Sequence, residues 1–207
     1  MSTTFRSLLP LWAAMAAVVL LSNVLVQYPV QAMLGGVNLA DLLTWGAFTY
    51  PVAFLVTDLT NRRFGAPNAR VVVAIGFLVA VALSAWLATP RIAIASGSAF
   101  IFAQLLDVSI FDRMRRAEWW RAPLVSSLVA SVVDTLVFFS LAFAPLFGAL
   151  DLGGADGSLG FAVPFLGVGS DGPLWISLAA GDFMVKVAVG LAMLVPYRYV
   201  ALRTAAA

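Results

Sequence analysis

Five ionisable side chains sit inside or at the edges of long apolar runs: Asp58, Asp107, Asp134, Asp182 and Lys186. Holding a charge at that depth in a bilayer costs at least ~2.5–3.5 kcal/mol, so each such group needs a partner or a job. Asp182 and Lys186 are four residues apart with the acid first, which is the favourable order for a pair on one helix, and they can neutralise each other. Asp58 and Asp107 lie near span ends and are within reach of arginine-bearing loops as anchors. Asp134 has no charge partner on its own helix and lies on a face with Ser127, Ser131 and Thr135, so it is the sharpest candidate for a solute contact. The amides of Asn23, Gln27 and Gln104 either bond neighbouring helices or read a ligand. Trp45 and Phe48 either belong to an interfacial aromatic belt or stack on a ring. Carboxylates that accept from ring N–H groups, amides that both donate and accept, and aromatic faces together suit a flat, polar, nitrogen-rich heterocycle.

Other chemistries are poorly supplied. The chain has no cysteine and no histidine, which removes disulfides, thiolate catalysis, Cys/His zinc sites and histidine proton relays. It has no Gly-x-Ser-x-Gly, no phosphate-binding Gly-rich loop with lysine and no His-Glu-x-x-His. The four acids lack the glycine-flanked settings of an intramembrane aspartyl protease, Gly181 before Asp182 being the nearest. We therefore expect no enzyme, no metal and no cofactor. No basic face with interleaved aromatics points to nucleic acid.

The elements that must position these groups are membrane helices. Of 207 residues, 62% are hydrophobic and 11% charged, far below the quarter typical of soluble domains, and mean hydropathy is +1.00. The pattern predicts an all-α, polytopic membrane protein, a single domain over residues 1–207. Its six transmembrane helices fall at about 8–27, 42–59, 71–88, 92–111, 123–147 and 173–195. Pro51 kinks the second span, and NRRFGAPNAR (61–70) reads as a basic turn. The first span is read as a retained helix and not as a signal peptide. With six spans, Arg6, Arg62, Arg63, Arg70, Arg113, Arg115, Arg116, Arg121, Arg198 and Arg203 share one face, and only Arg91 lies on the other. That bias predicts both termini in the cytoplasm.

Several motifs carry a resemblance. Ser22-Asn23-x-Leu25-Val26-Gln27-x-Pro29 is followed by Thr44-Trp45-Gly46-Ala47-Phe48 and by Thr57-Asp58-Leu59-Thr60 with Phe64-Gly65-Ala66-Pro67. Further on come Arg91-Ile92-Ala93 with Ala95-Ser96, Gln104-x-Leu106-Asp107-Val108, Trp119-Trp120, Asp134-Thr135 with Phe138-Phe139, and Asp182-Phe183-x-x-Lys186 with Pro196 beyond it. In order and spacing this set resembles the queuosine precursor transporter family of the vitamin uptake transporter group, over essentially the whole chain outside its loops. The resemblance implies import of 7-deazaguanine bases (7-cyano- and 7-aminomethyl-7-deazaguanine) across the bacterial inner membrane for queuosine salvage. It also implies likeness to the six-helix substrate-binding subunits of energy-coupling-factor vitamin transporters, but without their ATPase module. A substrate-binding subunit of an ATP-driven vitamin or nucleobase transporter is the alternative, and a homodimer is compatible with either. The substrate-contacting residues expected from the two readings together are Asn23, Gln27, Trp45, Phe48, Gln104, Asp107, Asp134, Asp182 and Lys186.

Overall fold

The computed structural model describes residues 3–152 and 157–205, with side chains described from 6 to 201. Asp156 and the Arg203 side chain lie outside the described residues. The helices are α1 (Thr3–Leu25), α2 (Gly46–Thr49), α3 (Val52–Phe64), α4 (Ala66–Leu87), α5 (Pro90–Met114), α6 (Arg121–Phe143) and α7 (Leu174–Ala205). Two small antiparallel hairpins sit in loops: β1 (Met33–Leu34) with β2 (Val37–Asn38), and β3 (Ala162–Pro164) with β4 (Asp171–Pro173). Strands this short carry no readable alternation, and the sequence reading contained none.

Among the described residues, five helices are long and apolar enough to cross a membrane: α1, α4, α5, α6 and α7. The expected second span is not one continuous helix. Pro51 has no N–H, so the carbonyl of Ala47 receives no bond from it, and around the break the bonds tighten to Ala53 N–H on Tyr50 and Phe54 N–H on Pro51. The dihedrals of Tyr50 and Pro51 stay helical, so α2 runs into α3 with little change of course. From Gly46 to Phe64 the pair rises about 28 Å at ~1.5 Å per residue, close to the thickness of a hydrocarbon core. Asp58, Asn61, Arg62 and Arg63 make α3 too polar to read as a span by hydropathy alone.

Other boundaries shift for local reasons. The segment 61–70 is mostly helical: Gly65, at φ +82°, ends α3, and Pro67 sits in the first turn of α4. α6 stops at Phe143, short of the expected 147, because Pro145 holds Ala144 extended. α7 continues through Pro196, where the sequence reading ended it.

Helix α1 packs on α4, α5 on α4 and α6, and α7 on α6 and α3. The main core joins Met15 and Val19 of α1, Ala53 and Val56 of α3, Val72 and Val73 of α4, and Phe100 and Val108 of α5. Gly76 lets three helices meet: a Cβ there would lie 2.8 Å from Met15 Cγ and 2.9 Å from Phe100 Cζ. Trp86, Leu78, Leu136 and Val195 point outward, as lipid-facing side chains do.

The two ends of the bundle differ in charge. At one end Arg115 donates to the carbonyls of Asn61 (3.3 Å) and Arg62 (3.2 Å), capping α3, and Arg62 donates to the Arg115 carbonyl. Arg198 stacks on Trp119 at the same end, 5.0 Å from the ring centre. At the other end Gly167 touches Val37, which brings the two hairpin loops together. Arg91 is there too, 1% exposed, donating to the α6 C-terminal carbonyls of Leu141 (2.9 Å) and Ala144 (2.5 Å) and to Asp151 (3.0 Å). Arg91→Ala removes three hydrogen bonds from this end, and a buried acceptor that loses its donor costs ~1–3 kcal/mol. We expect a fall of several degrees in the melting temperature of the detergent-purified protein, and an unchanged melting curve would refute this latch.

Candidate functional site

A charged polar cluster forms where α7 faces α6 and the α2–α3 break. Lys186 of α7 reaches Asp134 Oδ2 at 2.6 Å and Thr135 Oγ1 at 3.1 Å, and pairs with Asp182 one turn back on its own helix. Its three N–H directions are all used. Thr135 passes a hydrogen bond on to Asp182 Oδ2 (3.1 Å). Tyr50 donates its hydroxyl to Asp134 Oδ1 (2.9 Å), and the Lys186 ammonium lies 5.6 Å from the centre of the Tyr50 ring. Tyr50 stands at the break before Pro51, held edge-on by Phe54 and Phe100, each 6.2 Å away centre to centre. Two acids and one base leave the cluster one formal negative charge in excess.

The expected intrahelical pair Asp182–Lys186 is therefore present, and Asp134, which has no partner on its own helix, finds Lys186 on α7. Sequence reasoning missed Tyr50, because a tyrosine in an apolar run reads as one more aromatic. The signal was its place directly before a mid-span proline. Asp182 is the more open carboxyl, its side chain 15% exposed against 5% for Asp134.

Beside the cluster is a cavity of about 210 Å³ between α3, α6 and α7. Lys186 lines one part of it and Asp58 another, with Ser127 and Ser131 of α6 as further polar lining and apolar side chains elsewhere. Gly190 of α7 also faces it, and a Cβ there would meet nothing within 4 Å. The volume is below the ~300–1,000 Å³ of drug-sized pockets, which limits an occupant to something small.

A second polar layer lies nearer the arginine-rich end. Asp58 of α3 and Asp107 of α5, 2% and 0% exposed, stand on facing turns of the two helices. Ser126 and Ser127 of α6 offer Asp58 hydroxyls at 3.4 and 3.5 Å. Gln104 Oε1 accepts from Thr57 (2.7 Å), and the Asn61 amide donates to the Val108 carbonyl (3.0 Å), so α3 and α5 are clamped on either side of the acids. Among the described residues, Asp107 Oδ1 and Oδ2, Gln104 Nε2, Asn61 Oδ1 and the Tyr197 hydroxyl are buried without a hydrogen-bond partner.

The remaining expected residues are elsewhere. Asn23 does not reach the cluster: its amide donates to the Val19 carbonyl (2.9 Å) and accepts from Ser84 (3.3 Å), joining α1 to α4. Gln27 is exposed at the hairpin end. Trp45 is 48% exposed and leans on Phe48, 5.6 Å between ring centres, so this pair forms a rim and not a buried platform. Eight of the nine expected residues thus fall into an outer rim, a central cluster and an inner acidic layer, and Asn23 stands apart between α1 and α4.

The sequence profile of a family described as "Putative vitamin uptake transporter" matches residues 44–89 and 84–201. A "Queuosine precursor transporter" of Escherichia coli (strain K12) is 41% identical over 143 residues, covering 59% of this chain and 62% of that protein, so the match spans less than two thirds of this relative. A "Probable queuosine precursor transporter" of Haemophilus influenzae (strain ATCC 51907 / DSM 11121 / KW20 / Rd) is 33% identical over 202 residues, 84% of this chain and 77% of that one. One of Bacillus subtilis (strain 168) is 25% identical over 186 residues, 76% and 71% of the two chains. No solved structure matches the chain.

Proposed function

The chain belongs to the queuosine precursor transporter family of vitamin uptake transporters, and on that premise we propose that it imports 7-cyano- and 7-aminomethyl-7-deazaguanine across the bacterial inner membrane, with the arginine-rich end and both termini in the cytoplasm. The observation that carries the reading is an Asp134–Lys186–Asp182 cluster, two acids to one base, that meets a small cavity among the helices through Lys186. A flat bicyclic base with several N–H donors suits that surplus of acceptors. Asp182, the more open carboxyl, takes ring N–H groups first. Asp134 does so as Lys186 and Tyr50 re-orient. Trp45 and Phe48 stack on the base at the outer rim, where Gln27 meets its polar edge. On the way inward the base passes Asp58, with Gln104 and Asp107 behind it and off the cavity wall. The chain works without an ATPase module.

The test is complementation. In a strain that can neither make nor salvage the precursor, the wild-type chain should restore queuosine in tRNA when either base is supplied. Gly190→Leu should insert normally yet fail, because a Cβ there has open space around it and the rest of the side chain extends into the cavity. Restoration by Gly190→Leu at wild-type level would remove the cavity from the pathway. Uptake by the purified chain alone in liposomes separates a transporter from a substrate-binding subunit, which binds but does not transport.

A further inference from the structure

In the inner acidic layer the α6 serines tie Asp58 to the fold, but no hydrogen bond holds Asp107. The bonds Thr57–Gln104 and Asn61–Val108 hold α3 against α5 on either side of Asp58 and Asp107, and no lysine or arginine is bonded to either carboxyl among the described residues. Neither Asp107 oxygen has a hydrogen-bond donor, although the residue is completely buried. The unpaired Asn61 Oδ1 lies on α3 one turn from Asp58, and Tyr197 of α7, whose hydroxyl is unpaired, lines the same cavity as Asp58. A buried acceptor without a donor is costly, and an oxygen-lined site with two carboxyls on facing turns is completed by a small cation.

We propose that Asp58 and Asp107 bind one proton between them, and that this proton is the ion whose movement is coupled to solute import. This rests on the transport reading above. Two acids on facing turns are placed for one proton to serve both groups, as in paired aspartates that cannot both ionise at close range. Asp58 also lines the cavity whose other polar boundary includes Lys186, so one side chain is common to the proton site and the solute path. A solute N–H that engages Asp58 needs its carboxylate as acceptor, which moves the shared proton fully onto Asp107. Asp107 lies behind Asp58 and does not line the cavity. The groups around the pair are few: Arg62 on α3 itself, Arg115 on α5, the neutral Ser126 and Ser127 on α6, and Tyr197 with the more distant Lys186 on α7.

The test uses the full chain in liposomes that carry a trapped pH dye, with radiolabelled 7-cyano-7-deazaguanine outside. Exchange of labelled for unlabelled base across wild-type vesicles, with no gradient, tests transport itself, and its absence would sink the transport reading instead. Given exchange, we expect an inward proton gradient to drive accumulation of the base, and addition of base alone to acidify the lumen. Asp107→Asn should keep exchange but accumulate no more base with the gradient than without it, and Asp58→Asn should also lose accumulation. Three results would overturn the proposal: wild-type exchange without lumen acidification, accumulation driven by a sodium gradient at equal pH, or proton-driven accumulation by Asp107→Asn at the wild-type level. Loss of exchange in Asp107→Asn would also overturn it, by placing that residue in the solute path. The dye measurement on the wild-type protein decides whether a proton moves with the base, and the Asp107→Asn result decides whether this pair carries it.

Discussion

Lys186→Met should leave little folded protein. Methionine keeps the length of the side chain but removes the ammonium that lies between Asp134 and Asp182. Thr135 would lose the proton donor to its hydroxyl, and two buried acids would face each other with only Tyr50 and Thr135 as donors. Removing one partner from a buried ion pair costs ~3–5 kcal/mol, a large share of the ~5–15 kcal/mol that holds an ordinary domain together. We expect a low yield of monodisperse protein and a strongly lowered melting temperature in detergent. Adding Asp182→Asn to Lys186→Met should recover part of the loss, since it removes one of the stranded charges. Groups in such contact couple by ~0.5–3 kcal/mol in a double-mutant cycle. A Lys186→Met protein as stable as wild type would show that the acids do not depend on the lysine.

Asp134→Asn should behave in the opposite way, folding well and transporting poorly. Replacing either acid by its amide takes the cluster from one excess negative charge to neutrality, and an asparagine carbonyl can still accept from Tyr50 or Lys186. What disappears is a charged acceptor for a base N–H, and such bonds are worth ~1.5–3 kcal/mol. That is about 10- to 100-fold in affinity. Uptake of labelled 7-cyano-7-deazaguanine into vesicles should fall by that order for Asp134→Asn and for Asp182→Asn, with insertion and melting temperature near wild type. Wild-type uptake by both variants would discard the cluster as the substrate site. The opposite responses to losing the lysine and to losing an acid follow from one fact, the two-to-one ratio of acids to base.

Much of this arrangement was legible in the residues. Apolar runs of the right length placed five long helices, and the i,i+4 spacing of Asp182 and Lys186 announced their pair. The segregation of arginines anticipated the charged end where Arg62, Arg115 and Arg198 gather. Contacts between helices were not legible, because rotation and depth are set by packing and not by local sequence. Hence Asp134 looked unpartnered until Lys186 arrived from α7, and the placing of Asp58 and Asp107 on facing turns was invisible. Asn23 could be read equally as helix glue or as a ligand-reading amide, and only the packing shows that it bonds Ser84 between α1 and α4. Pro51 announced a kink, but its use in presenting Tyr50 to Asp134 depends on which way that turn faces.

The most direct measurement is equilibrium binding of 7-cyano-7-deazaguanine to the purified chain in detergent, wild type beside Asp134→Asn. A saturable isotherm at one base per chain, weakened about 10- to 100-fold in the variant at an unchanged melting temperature, is the result expected of a carboxylate that accepts from the base. Equal affinities in the two proteins, or no binding to a wild-type chain that still transports, would contradict it.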